Sequence, residues 1–364
     1  MPISAIDAIS PALHHARQQL FQPFRAGQWA RLALVGLLAG ELTSGGCNTN
    51  FQVPQRTNHL MAPALPQINP VAMAGLIALL IGLGAVLYVL FLYVNSVMRF
   101  ILFDSVIARH CEIRRGWNRR QRPGVRFFLW QLAFLVAVLV GMTILIGIPA
   151  AIALAAGWLS NPKQHMVPLI LGGMVLFLVF LVFVLLGMVV HVLTKDFVIP
   201  QMALEDLSAF QAWKRLLPML GSEKGPYVGY LLMKIVMTLG VAVVVGIIAF
   251  IVILIMLIPV GGVGAAVVLA GKAAGLQWNL YTITLAVLVG CILLALILYV
   301  MSVISVPAIV FFPAYSIYFF ASRYPNLNLL LNPIPTPVVA GPAALPQNPP
   351  PEVPPAMPPP EPIG

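Results

Sequence analysis

The sequence predicts an all-α, polytopic integral membrane bundle of about six transmembrane helices, paired into repeated hairpins with interfacial helices on the cytoplasmic side. Three observations predict it. Hydrophobic residues make up 60% of the 364 residues, charged residues only 8%, and the mean hydropathy is +0.98, too apolar for a water-soluble domain of ordinary composition. Apolar runs of spanning length alternate with basic segments. The basic segments also repeat their parts in order. Asp104-Ser105-Val106-Ile107 leads to Trp117-Asn118-Arg119, and Asp196-Phe197-Val198-Ile199 leads to Trp213-Lys214-Arg215, while Trp29-Ala30-Arg31 opens the first apolar run. The pattern is that of a recurring unit: basic collar, helix out, helix back, collar again.

Residues 1–28 form a cytoplasmic amphipathic segment. Ser10-Pro11 is a helix-start pair, after which Leu13, Ala16, Leu20 and Phe24 recur at helical spacing while His14, Arg17 and Gln18 point elsewhere. The segment is expected to lie on the membrane surface. No cleavable signal peptide precedes the first span, which is expected to remain as an anchor.

Residues 29–46 are the first and least apolar span. Gly36 and Gly40 have the spacing that lets a neighbouring helix approach. Glu41 follows, roughly 18 Å from Trp29 at about 1.5 Å per residue, past the midplane of a layer about 30 Å thick. A carboxylate inside a membrane is costly and marks a functional site; alternatively, the helix ends there and the side chain reaches outer water. Residues 47–70 form a polar external loop.

Residues 71–95 are the second span. The collar behind it carries Arg99, Arg109, Arg114, Arg115, Arg119, Arg120, Arg122 and Arg126 against Asp104 and Glu112. Arg114, Arg115, Trp117, Arg119 and Arg120, with Asp104, are candidates for contact with anionic headgroups, each Arg near the surface contributing about 1 kcal/mol. Setting topology is the alternative role. The third span, 127–159, is longer than one perpendicular crossing and contains Pro149, an expected kink or break. The fourth, 167–193, holds His191 near its inner end, four residues before Lys195. A proton relay and an interfacial hydrogen-bonding role are both open for this imidazole.

In the second collar, Ser208 and Gln211 match a capping box. Leu207, Phe210, Trp213 and Leu217 mark an apolar face, with Gln211, Lys214 and Arg215 toward water. Asp196, Trp213, Lys214 and Arg215 are therefore interfacial candidates. The fifth span, 227–271, is interrupted at Pro259 as the third is at Pro149; broken helices bind ions through freed backbone groups in transporters and elsewhere simply turn the chain. The sixth, 282–304, continues into Phe311, Phe312, Tyr315, Tyr318, Phe319 and Phe320 beside Arg323, the enrichment expected at a membrane–water boundary. Residues 29–324 thus make the membrane domain. Residues 325–364 are a Pro-rich tail expected to be disordered, with P-x-x-P spacings that offer a protein partner a ligand.

Orientation follows from charge. Of the 20 Lys and Arg, all but Arg56, Lys163 and Lys272 fall on one side of this arrangement, which places both termini in the cytoplasm and the chain in the cytoplasmic (inner) membrane. The net charge of +10 reads as orientation, not nucleic-acid binding, because the basic residues sit between apolar runs. There is no Walker loop, HExxH, GxSxG or dinucleotide fingerprint. The histidines lack metal-ligand spacing, and Cys47, Cys111 and Cys291 form no CxxC. No catalytic residue, metal or cofactor is expected. The sequence favours a non-catalytic membrane module that engages lipids, anionic headgroups among them, or a protein partner; the alternative is a small-molecule or ion transporter.

The passage from Asp196-Phe-Val-Ile-Pro to Ala212-Trp213-Lys-Arg, its echo from Asp104 to Trp117, and the closing Val310-Phe-Phe to Tyr315-Ser-Ile-Tyr318 resemble uncharacterised prokaryotic six-span families related to the membrane domain found beside glycerophosphodiester phosphodiesterases. The resemblance covers most of residues 1–325 through short motifs. It implies a membrane module of unknown role. The catalytic domain of those phosphodiesterases is not among these residues, so no such activity is implied.

Overall fold

In a computed structural model the described residues are 3–41, 70–158, 163–273, 275 and 280–332, and all regular structure among them is helical. The helices are α1 (Ile9–Phe21), α2 (Ala26–Leu38), α3 (Pro70–Ile107), α4 (Ile113–Ala155), α5 (Met166–Leu193), a π turn (Thr194–Val198), α6 (Ile199–Glu205), α7 (Ala209–Ser222), α8 (Lys224–Ala273), α9 (Leu280–Ile304), α10 (Val306–Ala321) and α11 (Pro325–Leu331). Among the described residues, five stretches are long and apolar enough to cross a membrane: Ile77–Ile107, Ile113–Ala155, Met166–Glu205, Lys224–Ile258 and Val287–Ile304. The expected first span is not among them. α2 has 13 residues, roughly 20 Å of helix against a hydrocarbon core of about 30 Å, and residues 42–46 lie outside the described residues, as does most of the expected external loop.

Burial divides each long helix into two parts. On α3, large side chains between residues 77 and 91 are exposed, whereas Val97, Phe100, Ile101 and Val106 are buried. α4 runs the opposite way, burying Arg120, Pro123, Gly124 and Phe127 before exposing Leu129, Val136, Leu139 and Ile144. α5 exposes Ile170, Phe177 and Leu185, and the chain is buried only from Leu193. α8 buries Tyr227 and Tyr230 and then exposes Ile235, Leu239 and Val243. The exposed parts are apolar on every face and need an apolar solvent, with their backbone groups satisfied inside each helix. Their collar-side ends converge on one core, completed by α1, α2, α10 and α11.

The centre of that core is aromatic. Phe197 lies 5.4 Å from Tyr227, 5.1 Å from Tyr230 and 5.1 Å from Phe320, while Tyr230 stacks on Phe319 at 4.6 Å and on Tyr315 at 5.1 Å. Ring pairs of this kind add about 0.5–1.5 kcal/mol beyond the area they bury. The aromatic run expected at a membrane boundary is thus largely internal. Close packing is also built in: a Cβ at Gly36 would lie 2.5 Å from Ile309, and one at Gly124 would lie 2.7 Å from Val97.

Two amphipathic helices pack against the core largely through small residues. α1 buries Ala12, His15, Ala16, Gln19 and Leu20, leaving Leu13 exposed, as is Phe24 beyond its end. α7 buries Ala209, Ala212 and Leu216 and exposes Phe210 and Leu217. Small residues let a helix sit closer to its neighbour than large ones, and here they decide which face packs. The helices also run through Pro149 and Pro259 without an interruption. α11 begins where the tail was expected, and it buries Leu327; the rest of the tail lies outside the described residues.

Candidate functional site: a buried ionic cluster and an arginine stripe

The π turn is the device that brings charge into the core. A π turn is wider than an α turn and recurs at functional sites; this one carries Lys195 and Asp196 in succession. Lys195 forms an ion pair with Glu41, and Asp196 forms one with Lys234 while accepting a 3.0 Å hydrogen bond from the Tyr230 hydroxyl. The side chains of both acids are only 3% exposed. Glu41 is positioned by the end of α2, where Gly40 takes a left-handed φ of 72° that glycine adopts without strain. α3 holds the same end. Asn95 donates to the Leu38 carbonyl at 2.9 Å, and Arg99 Nε donates to the Ala39 carbonyl at 3.2 Å, satisfying carbonyls that the helix end leaves free.

Arg99, Glu41, Lys195 and Asp196 line a cavity of about 30 Å³ together with Ser316 and the apolar side chains Leu102, Phe103, Ile199 and Ile317. His191, one turn before Lys195, is exposed and makes no hydrogen bond in this cluster. Glu41 and Asp196, both singled out in the sequence, are thus brought into one site. In the sequence Arg99, Lys195 and Lys234 stand only as collar charges, and nothing there marks Asn95, Tyr230 or Ser316. One signal was available: Lys234 stands inside an otherwise apolar run, where a charge needs a partner.

The first Asp-x-Val-Ile element makes a different site. Asp104 receives two 2.6 Å hydrogen bonds from Arg120, Nε and Nη2 each reaching one carboxylate oxygen, and Arg120 Nη1 donates to the Ala203 carbonyl at 2.7 Å. Arg120 is therefore an internal clamp joining α3, α4 and α6. Arg115, Arg119, Arg122 and Arg126 follow one another at helical spacing on the other side of α4, all exposed, with Arg114 beside them. Among the described residues, only the ends of this stripe have carboxylate contacts, Arg115 with Glu112 at 3.6 Å and Arg126 with Asp206 at 3.2 Å. Trp117 is half-buried against Tyr93.

Where the stripe stops, α4 becomes apolar and exposed, and there Trp130 meets Trp213 of α7 at 6.4 Å. α7 has the expected capping box between Ser208 and Gln211. Lys214 lies 4.8 Å from the Phe210 ring, and Arg215 pairs with Glu205. Stripe, tryptophans and α7 thus occupy the level at which the long helix changes from charged to apolar. The ionic cluster and the stripe are separate: Arg120, which faces inward, shares α4 with the stripe but pairs with Asp104.

Residues 3–330 match the model of a family of unknown function, DUF7544. The chain belongs to that family. No curated protein and no solved structure matches the chain. The family match takes in both the ionic cluster and the arginine stripe, and the family description attaches no activity to either.

Proposed function

We propose that the protein is a non-catalytic, multi-pass module of the cytoplasmic membrane, with both termini on the cytoplasmic side, which holds anionic lipid headgroups along the arginine stripe of α4. The observation that carries this reading is the continuity of one helix: exposed Arg115, Arg119, Arg122 and Arg126 give way, across the Trp130–Trp213 pair, to an exposed apolar stretch. A membrane boundary demands that sequence of charge, aromatic ring and hydrocarbon. The six-span hairpin topology and the kinship with the membrane domain beside glycerophosphodiester phosphodiesterases belong to the same proposal.

The test is reconstitution of the full chain into nanodiscs of zwitterionic lipid doped with a fluorescent anionic lipid. Enrichment of the anionic lipid around the protein is expected to fall several-fold between low and high salt. Replacing Arg115, Arg119, Arg122 and Arg126 with Gln together is expected to abolish it with little change in thermal stability. Equal enrichment around parent and variant would overturn the proposal. Arg120 is excluded from the set because it clamps Asp104. A second reading, a small-molecule or ion transporter, draws on the buried Glu41–Lys195 and Asp196–Lys234 pairs; it predicts that a substrate stabilises the parent but not a Glu41→Gln variant.

A further inference from the structure

Beyond the end of α3 that lies farthest from its exposed apolar stretch, α1, the turn into α2 and the segment after α3 border a cavity of about 320 Å³. That is the lower end of the volumes that hold small ligands, about 300–1,000 Å³. Arg25 and Arg109 bring two positive charges to its lining and His110 an imidazole, and among the described residues no carboxylate lines it. Glu112, 3.3 Å from His110 and 3.6 Å from Arg115, stands outside the lining. Among the described residues neither Arg25 nor Arg109 has an ion pair. The wall is held in place by side-chain amides. Gln28 Nε2 donates to the Arg109 carbonyl at 2.8 Å, and Arg109 takes a left-handed φ of 57°. That conformation is costly for a residue other than glycine and recurs at ligand-binding sites.

The chemistry of the lining selects the ligand. Two guanidinium groups suit a phosphate, whose oxygens accept several charge-assisted hydrogen bonds at once. The amides of Gln18 and Gln22 make no hydrogen bond to another described residue, and each offers donors and an acceptor of the kind that hydroxyl groups match. Gln19, which also lines the cavity, is 5% exposed. Its Nε2 donates to the Ser105 carbonyl at 2.9 Å, while its Oε1 has no partner among the described residues. A bare anion cannot satisfy that acceptor and a hydroxyl can. Only Pro23 contributes an apolar side chain, so hydrocarbon finds little to rest on. The position favours a soluble ligand over a headgroup. From Phe91, where the exposed apolar stretch of α3 stops, to Ile107 is about 24 Å of helix, against a headgroup layer of roughly 5–7 Å. We propose that this cavity binds a water-soluble sugar phosphate, its phosphate on Arg25 and Arg109 and its hydroxyls on the glutamine amides. This inference does not rest on the headgroup proposal, which concerns other residues.

The experiment uses the full chain in detergent without added lipid. Titration calorimetry and thermal unfolding are followed with glucose 6-phosphate, ribose 5-phosphate and dihydroxyacetone phosphate, and with inorganic phosphate and glucose for comparison. Saturable binding of at least one sugar phosphate is expected, about tenfold or more tighter than inorganic phosphate or glucose, with a rise in unfolding temperature. Arg25→Gln and Arg109→Asn, the latter a residue that tolerates the left-handed conformation, are each expected to weaken it about tenfold. Gln22→Ala, at an exposed position, is expected to weaken the sugar phosphate and leave inorganic phosphate unchanged. The joint glutamine variant of the α4 stripe should bind as the parent does, which separates this site from the headgroup proposal. Failure of all three sugar phosphates to bind, or equal affinity for inorganic phosphate, would overturn the inference. So would parental affinity in both arginine variants or in Gln22→Ala. In nanodiscs, replacing zwitterionic lipid with phosphatidylinositol is expected to leave the sugar-phosphate affinity unchanged; competition by that lipid would assign the site to a headgroup and overturn the soluble ligand.

Discussion

The two Asp-x-Val-Ile elements are alike in sequence and opposite in setting. Asp104 ends a transmembrane-length helix, is 28% exposed at its side chain, and meets Arg120 only 16 residues later through a two-point contact. Asp196 sits in a π turn, is 3% exposed, and reaches Lys234 and Tyr230 on α8 in the centre of the core. The same four-residue pattern therefore serves once as a clamp at the rim and once as part of a buried charge network. The difference teaches that backbone geometry, not the motif, sets the role. In the second copy a wider turn rotates Asp196 inward and lets its neighbour Lys195 pair with a third segment, the end of α2.

The comparison can be broken most severely at Asp196. Asp196→Asn leaves the Lys234 ammonium buried without its carboxylate, and a loss of about 3–5 kcal/mol is expected, read as a large fall in thermal or denaturant stability of the purified protein. Rescue by Lys234→Leu in the same chain would confirm that the uncompensated ammonium, and not a lost contact, is the cause. Asp104→Asn should be milder, about 1.5 kcal/mol, because Arg120 keeps the Ala203 carbonyl and position 104 itself is partly open to water. Equal losses for the two asparagine variants would show that the burial difference has no energetic consequence.

A smaller effect lies beside the first element, where His15 fastens α1 to α3. The Val106 carbonyl, 2.8 Å from Nε2, can only accept a hydrogen bond, so Nε2 carries the hydrogen and, in the neutral ring, Nδ1, 3.2 Å from the Tyr318 oxygen, accepts from its hydroxyl. Burial, opposed by the Val106 bond and aided by Arg109 and His14, holds this imidazole below its usual 6.5. A histidine whose value is depressed on folding binds its proton more readily in the unfolded chain. Its contribution is therefore present above about pH 6.5 and is lost as the pH falls below that value. Unfolding of the parent and of His15→Gln between pH 7.5 and 5 should show the parent losing the larger share of its stability. A parallel pH dependence in the two proteins would remove His15 from the fastening of α1.

Much of the architecture was legible along the chain. Apolar runs marked the five long helices, because an all-apolar helix has no other solvent than lipid or core. The Ser208–Gln211 box marked the start of α7, because its bonds are local. The residues of the candidate sites were legible only in part. Asp104 and Asp196 are marked by their repeated motif and Glu41 by its place in an apolar span, yet their partners Arg120, Lys234 and Lys195 read as members of a basic collar. The outward stripe of α4 and the inward Arg120 could not be separated by counting charges, since both follow from which face of the helix the α3 contact covers. The pattern of large apolar residues does not say which face of α1 and α7 meets the core: Ala12, Ala16, Ala209 and Ala212 go inside, where backbones meet closely.

What the sequence determined by itself is the helical class, the long apolar stretches and the collars between them, all of which follow from composition and periodicity over neighbouring residues. The tertiary structure alone decided that α2 stops beside Asn95 and Arg99, that the aromatic residues of α10 fill a core, and that charges from positions 41, 99, 195, 196 and 234 gather in one place. The physical reason is distance along the chain. A hydrophobic period is written in adjacent turns, whereas the pairing of Glu41 with Lys195 spans 154 residues and exists only once a π turn and a left-handed glycine have brought two helix ends together.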